Sequence, residues 1–201
     1  MLMRIAFSVW FTLLLAAGIF SPTQGAEASA KVRLHTELGD IVLEIDPAHS
    51  PISSANFLHY VDAGSYNGAT FYRTVRLDPD NQPNNKIKIE VIQGGTEHNP
   101  KAAVSPPIPL ERTRDTGLKH RDGTLSMARD GPDTATSEFF VCIGDQPELD
   151  YGGHRNPDGQ GFAAFGRVIS GMDIVRRVHA APAREQKLTP PIAIIKAERI
   201  D

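Results

Sequence analysis

Apolar and polar residues alternate in short runs along most of this chain, a pattern typical of β-strands with one buried face. The alternation is clearest over residues 41–46, where Ile41, Leu43 and Ile45 share one side. An earlier run, 32–37, is separated from it by three residues that include Gly39, a turn former. The two runs therefore predict a β-hairpin with one face in a core.

Runs rich in β-branched and aromatic residues recur farther along the chain. They predict strands at 70–75, 86–93, 124–128, 138–143, 162–168 and 192–200. The stretches between them, 77–85, 97–118 and 150–161, are rich in proline, glycine and polar residues, so we expect loops there.

Two segments have helical spacing instead. Ser50 and Pro51 suit the N-cap and the first turn of a helix over 51–63. The face that we expect this helix to bury is Ile52, Ala55, Leu58 and Val61, flanked by Phe57. A second helix is predicted over 171–180. Many short strands and a helix near each end indicate a mainly β fold, an antiparallel barrel or sandwich.

The first thirty residues differ from the rest. A basic start containing Arg4 precedes an apolar run, 5–20, and a small, polar stretch, 21–30. This order predicts a secretory signal peptide over residues 1–28 and a mature domain over 29–201. The apolar run is shorter than the ~20 residues that span a bilayer, although an uncleaved anchor stays open as an alternative.

Composition narrows the possible functions. The chain has 201 residues, 40% of them hydrophobic, and a formal net charge of -3 with acids and bases interspersed. It carries no basic patch, so no nucleic-acid partner is expected. The single cysteine, Cys142, lies in an apolar run, which indicates a buried core residue.

The sequence contains no motif typical of covalent catalysis or of metal or cofactor binding. The seven histidines are scattered and form no zinc-type spacing. Residues 78–81 resemble a calcium loop only superficially, and no nucleophile elbow or dinucleotide fingerprint is present. We expect no metal and no cofactor.

Four motifs carry a resemblance to a known family. Residues 123–141 read GTLSMARDGPDTATSEFFV, and 70–73, 92–95 and 165–173 read TFYR, IQGG and FGRVISGMD. In this order they resemble the cyclophilins, the first run matching that family's central signature. The resemblance covers residues 31–200 and implies a closed, antiparallel eight-stranded barrel capped by two helices.

The resemblance also implies an activity, peptidyl-prolyl cis–trans isomerisation, and roles for particular residues. Arg73 would be the catalytic cation that stabilises the twisted X–Pro amide, and Gln93 would orient it. Residues implied to contact the substrate are Phe71, Met127, Ala128, Arg129, Phe140, Leu149 and Phe162.

The sequence departs from the family pattern at several of these places. Glu90 stands where a phenylalanine of the proline pocket is usual, so Ile89 or Val91 would have to fill that space. Glu138 replaces a usual glutamine. An additional segment, 76–86, separates Arg73 from Gln93 and must loop out beside the site.

These observations and the resemblance predict an isomerase of exported proteins that acts on proline-containing peptides and unfolded chains. We expect it to be a periplasmic monomer. The first alternative is a catalytically weak binding module or chaperone with the same fold. An unrelated exported β-barrel is the second. The position of the Glu90 carboxylate distinguishes the active isomerase from the weak binding module, since a carboxylate pointing into the pocket could neutralise Arg73.

Overall fold

The computed structural model describes residues 29–102 and 105–200. Its strands are β1 (Ala30–Thr36), β2 (Gly39–Ile45), β3 (Ala69–Val75), β4 (Val91–Gly95), β5 (Thr124–Met127), β6 (Phe139–Cys142), β7 (Ala163–Ser170), β8 (Ala183–Arg184) and β9 (Lys187–Ile200). Its helices are α1 (Pro51–Asp62), α2 (Thr113–Thr116) and α3 (Met172–Ala180), with a 3-10 turn at Pro147–Leu149. The predicted signal peptide lies outside the described residues. Within those residues, no helix has the length and apolar character needed to cross a bilayer.

Antiparallel pairing closes eight of these strands into a barrel. Their order is β1-β2-β7-β5-β6-β4-β3-β9, and β9 pairs back with β1. The short β8 adds to β9 outside this ring. Helix α1 packs against β7 and β9, and α3 packs against β2, β3 and β4. The predicted eight-stranded barrel with two capping helices is confirmed, and the one-turn α2 is an addition.

Helix α1 buries only part of the face that was predicted, together with polar residues beside it. Ile52 is 41% exposed, whereas Phe57 is fully buried. The Phe57 ring lies 5.2 Å from Tyr66 and Phe165 and 5.4 Å from Phe139, measured between ring centroids. Serines at positions 53 and 54 complete the buried face, and their small side chains let the helix lie close to the sheet. Leu58 and Val61 of the predicted face are buried too, so the prediction from apolar residues was right in part and missed the serines.

The N-terminus of α1 is capped by a distant carboxylate. Ser50 occupies the N-cap position but makes no capping hydrogen bond with its side chain. Instead Glu111 accepts from the backbone N–H groups of Ile52, at 3.0 Å, and Ser53, at 2.7 Å. The Ser50 hydroxyl donates to the same carboxylate at 2.7 Å. Glu111 thus satisfies helix donors that would otherwise lack partners and ties the long 97–118 excursion to α1.

Strand β4 is shorter than predicted. It begins at Val91, and residues 86–90 form no strand although they continue the apolar alternation. The backbone of Ile89 pairs with a side chain instead: its N–H donates to Gln82 Oε1 at 3.2 Å, and its carbonyl accepts from Gln82 Nε2 at 2.7 Å. A buried glutamine therefore replaces a neighbouring strand at this point, which the pattern of residue types could not reveal.

Candidate active site

A cavity of about 740 Å³ opens along β4 and collects most of the predicted site residues. Seven of the nine line it: Arg73, Gln93, Ala128, Arg129, Phe140, Leu149 and Phe162. They come from β3, β4, β6 and the loops that follow β5 and β6, so the cavity forms only when the barrel closes.

One part of the cavity is apolar and separate from the barrel core. Phe140, Leu149, Ile89 and Val91 belong to a small buried cluster, against which Phe162 packs. The rings of Phe140 and Phe162 meet edge to face with centroids 5.3 Å apart. This arrangement leaves a small pocket with aromatic and aliphatic walls, suited to a ring such as that of proline.

A bulge in β3 brings Arg73 to this pocket. Phe71 pairs with Gly94 and Arg73 pairs with Gln93, so Tyr72 is the extra residue between them. Without the bulge, Phe71 and Arg73 would point to the same side of the sheet. With it, Phe71 points into the core while Arg73 points into the cavity, as β-bulges near functional sites commonly re-aim side chains.

Arg73 is held from two sides by neutral acceptors. Its Nη1 donates to Gln93 Oε1 at 2.7 Å. Its Nε and Nη2 donate to Gln186 Oε1 at 2.9 and 2.7 Å. Burial lowers the pKa of Arg73, but an arginine starts so far above neutral pH that the group stays charged. The site therefore presents a fixed cation to which no carboxylate of the described residues is hydrogen-bonded.

Gln93 is oriented by a chain of hydrogen bonds that runs to a carboxylate. Gln93 Nε2 donates to the Tyr72 hydroxyl at 2.7 Å, and this hydroxyl donates to Glu138 Oε2 at 2.9 Å. Glu138 Oε1 also accepts from the N–H of Glu97 at 2.9 Å. Burial, followed by the nearby Glu138 charge, raises the pKa of Tyr72 well above its usual value. Tyr72 thus stays protonated, and each donor in the chain meets an acceptor.

Two predicted contact residues lie elsewhere. Phe71 and Met127 are almost fully buried in the main barrel core and do not line the cavity. For Phe71 the reason is the bulge described above. Met127 is the last residue of β5 and pairs with Phe139 and Ala163 inside the barrel. The structure therefore places both side chains in the barrel core and not on the cavity, where the resemblance led us to expect them.

Comparison with known proteins identifies the architecture. The family model "Cyclophilin type peptidyl-prolyl cis-trans isomerase/CLD" matches residues 31–199, which is most of the chain. The chain belongs to the cyclophilin family. This cyclophilin is accordingly a peptidyl-prolyl cis–trans isomerase, as the motifs predicted.

Curated relatives and solved structures agree with this assignment. The chain is 36% identical over 162 residues to peptidyl-prolyl cis-trans isomerase A of Dickeya dadantii, covering 79% of this chain and 76% of that one. It is 33% identical over 148 residues to isomerase B of Escherichia coli, covering 73% and 82%. A crystal structure of a Cryptosporidium parvum cyclophilin type isomerase superposes with a TM-score of 0.68 at 23% identity, covering 87% of this chain and 99% of that one. The last comparison supports the fold.

Glu90 lies outside the pocket of this cyclophilin. Its Oε1 is 4.0 Å from His179 Nε2 and accepts from the N–H of Leu77 at 3.4 Å. Its neighbours Ile89 and Val91 point the other way and line the cavity. The two aliphatic side chains therefore occupy the wall next to the position of Glu90, and its carboxylate cannot neutralise Arg73 directly.

The additional segment between Arg73 and Gln93 packs beside the site. Asn81 Nδ2 donates to the carbonyls of Thr74 and Glu185 at 2.9 and 3.0 Å, and its Oδ1 accepts from the N–H of Arg76 at 2.8 Å. The Asn81 carbonyl accepts from Gln186 Nε2 at 3.1 Å. The segment therefore supports the glutamine that holds Arg73, a role that its polar composition alone did not indicate.

Arg129 lines the cavity but is already engaged. Its guanidinium donates to the Gly161 carbonyl at 2.9 and 2.6 Å and pairs with Asp158 at 2.8 and 3.0 Å. It also lies 5.0 Å from the ring centroid of Phe162. Arg129 therefore fixes the 150–161 loop and Phe162 in place, and its side chain, which is only 1% exposed, offers a peptide almost no surface of its own.

Sequence reasoning missed three residues that shape this site: Tyr72, Glu138 as a partner of Tyr72, and Gln186. Tyr72 was adjacent to Arg73 in the quoted motif, and Glu138 was noted only as a departure from glutamine. Gln186 lies 113 positions from Arg73 and belongs to no motif. No group of three or more metal-ligating side chains occurs in the described part of the chain.

Proposed function

We propose that this cyclophilin accelerates cis–trans rotation about X–Pro bonds in exported proteins, and thereby assists their folding. Rotation about this bond is slow because amide resonance sets a barrier of ~20 kcal/mol. The reaction makes and breaks no covalent bond. A catalyst needs only to bind the twisted amide more tightly than either planar form.

Arg73 is the group that we assign to this task. In the twisted amide the prolyl nitrogen loses resonance and becomes able to accept a hydrogen bond. Of the five N–H groups of an arginine, three of Arg73 are used by Gln93 and Gln186. The remaining two are available to a peptide while the guanidinium is held still, which is the preorganisation that electrostatic catalysis requires.

The observation that carries the proposal is the position of this fixed cation beside the apolar pocket. The cluster around Phe140, Leu149 and Phe162 would bury the proline ring and remove water from the bond. Because a hydrogen bond from a charged donor is stronger where water is excluded, Arg73 favours the twisted state more than it would in bulk water.

The substrates that we propose are proline-containing peptides, including unfolded exported chains. A related Cryptosporidium parvum structure was determined in the presence of the dipeptide Ala-Pro, with a TM-score of 0.67 and 23% identity. The order of basic, apolar and small residues in 1–28 supports export and a periplasmic location. Mass spectrometry of the protein purified from its native compartment would test this, since we expect a mature chain that begins near residue 29.

A peptide isomerisation assay tests the catalytic assignment. We expect Arg73→Ala to lower kcat/KM by about 10²- to 10³-fold, the usual cost of removing one preorganised donor. Peptide binding should change much less, because the apolar pocket stays intact. Equal rates for the wild type and Arg73→Ala would exclude the role of Arg73. The alternative of a catalytically weak module is not favoured, because Glu90 points away from the pocket.

A further inference from the structure

The cavity contains a second arginine that the proposed mechanism does not use. Arg155 lies in the loop between the 3-10 turn and β7, and its backbone N–H donates to the carbonyl of Glu148 at 3.2 Å. Its side chain crosses to the additional segment, where Nη1 donates to Gln82 Oε1 at 3.0 Å and to the Ile87 carbonyl at 2.6 Å. From there the half-buried guanidinium faces the same cavity as Arg73.

The Arg155 side chain donates hydrogen bonds to neutral acceptors but is not paired with an anion of the described residues. Both of its side-chain partners are neutral, and across residues 29–102 and 105–200 it forms no ion pair with a carboxylate. The charged neighbour that affects it is another cation: burial and then Arg73 lower the pKa of Arg155. Two guanidinium groups therefore line the same cavity, and neither is paired with a carboxylate of the described residues.

The other charged residues that line the cavity do not neutralise the positive charge of Arg155. Arg129 is paired with Asp158. The Glu138 carboxylate packs against Gly95, at the end of β4, and bonds to Tyr72 and Glu97. Arg155 instead bonds to Ile87, which precedes the start of β4. Arg155 and Glu138 thus lie toward opposite ends of β4. Glu97 and Asp130 also line the cavity, and within the described residues neither forms an ion pair with Arg155.

The geometry of Arg155 is suited to capturing an anion. Its Nη1 is anchored by two acceptors, so the guanidinium is held in place while Nε and Nη2 remain available. Arginine presents these donors as a planar fork that matches both oxygens of a carboxylate. Because the group is partly desolvated, an incoming carboxylate gains more there than at an open surface.

We propose that Arg155 is a specificity-determining residue that binds an acidic side chain of the substrate close to the proline. The inference rests on the proposed function, since it assumes that X–Pro peptides occupy this groove. It names a substrate class: proline-containing peptides with aspartate or glutamate within two residues of the proline.

Exchange NMR on a set of short peptides tests this, because it reports both the isomerisation rate and binding without a coupling protease. The peptides carry Glu, Gln or Lys at each of the two positions before and after one proline. With the wild type we expect the Glu peptide to exceed the Gln peptide in kcat/KM by about tenfold at one position, as one charge-assisted hydrogen bond would give. The advantage should shrink as salt is added.

Two variants with the same change in net charge separate a local effect from a general one. Arg155→Gln should abolish the preference for Glu. It should leave the rate for the Gln peptide within about threefold of the wild-type rate, a smaller change than the tenfold preference being tested. Arg121→Gln is the matched control, since this exposed arginine pairs with Asp145 away from the cavity; it should keep the preference.

Three outcomes would overturn the assignment: no position at which Glu is preferred, a preference that survives Arg155→Gln, or an equal loss for all peptides in that variant. The last result would mean that Arg155 only supports the loop. If the wild type fails to accelerate even the Gln peptide, the proposed isomerisation fails. Arg155-dependent binding of the Glu peptide in the same spectra would then still decide the anion site.

Discussion

Gln186 holds Arg73 through a single oxygen, which accepts from Nε at 2.9 Å and from Nη2 at 2.7 Å. The other end of the amide donates to the Asn81 carbonyl at 3.1 Å. An arginine can only donate and a carbonyl can only accept, so the Gln186 amide has one possible orientation. Gln186 thus lies opposite Gln93 and restricts the guanidinium on the side that the family motifs do not describe.

We expect Gln186→Met to lower kcat by about 10- to 100-fold with a smaller change in KM, because misplacement of a catalytic group affects the reaction more than peptide binding. Steady-state kinetics on one X–Pro peptide measures this. Lys187→Met is a control at the adjacent, exposed position. If KM rises and kcat does not change, Gln186 contributes to binding and does not position Arg73.

The Tyr72–Glu138 pair gives a second prediction. Tyr72→Phe removes the hydroxyl that accepts from Gln93, so we expect kcat to fall about tenfold, in line with the loss of one hydrogen bond in the chain. Glu138→Gln retains an oxygen that can accept from Tyr72 and should keep most of the activity. The same kinetic assay measures both variants, and equal losses in the two would show that charge at Glu138 matters more than orientation of Gln93.

Much of the barrel could be predicted because it follows from local patterns. The alternation that places Ile89 and Val91 on one side and Glu90 on the other persists even though residues 86–90 form no strand. The pairing of Arg73 with Gln93 follows from the motifs on β3 and β4. These features depend on residues near one another in sequence or on adjacent strands.

The features that sequence reasoning missed depend on closure of the whole fold. Gln186 reaches Arg73 from a turn 113 positions away, and Glu111 caps α1 from 61 positions away from Ser50. The bulge at Tyr72 is defined by how β3 pairs with β4, and the residue types alone do not reveal this pairing. In each case a polar side chain meets its partner only after the barrel has formed.

The cap on α1 provides a stability prediction. Glu111→Ala removes the acceptor for two backbone N–H groups and for the Ser50 hydroxyl, so we expect the free energy of unfolding to fall by about 1–3 kcal/mol. Glu111→Gln keeps one acceptor oxygen and should lose less. Urea unfolding monitored by circular dichroism measures both. An unchanged midpoint in Glu111→Ala would mean that water replaces the carboxylate at no cost.

His120 forms a buried network behind the proline pocket. It is 1% exposed, and its ring is nearly parallel to that of Phe140, with centroids 6.0 Å apart. Its Nδ1 lies 2.8 Å from Asp150 Oδ1, and its Nε2 lies 2.9 Å from Ser126 Oγ. A neutral imidazole that donates to Asp150 and accepts from the Ser126 hydroxyl satisfies every group in this network.

Burial lowers the pKa of His120, and the hydrogen bond to Asp150 opposes this only in part. In the unfolded chain the pKa of this histidine is about 6.5, so as the pH falls the unfolded chain binds a proton more readily than the folded chain does. Its contribution to stability is fully present above that pH and declines as the pH falls below it. We expect the free energy of unfolding from urea titrations to decrease between pH 7.5 and 5.5, and to decrease less in His120→Gln. His59→Gln, at an exposed position, should retain the wild-type slope; an identical slope in His120→Gln would assign the pH dependence to other groups.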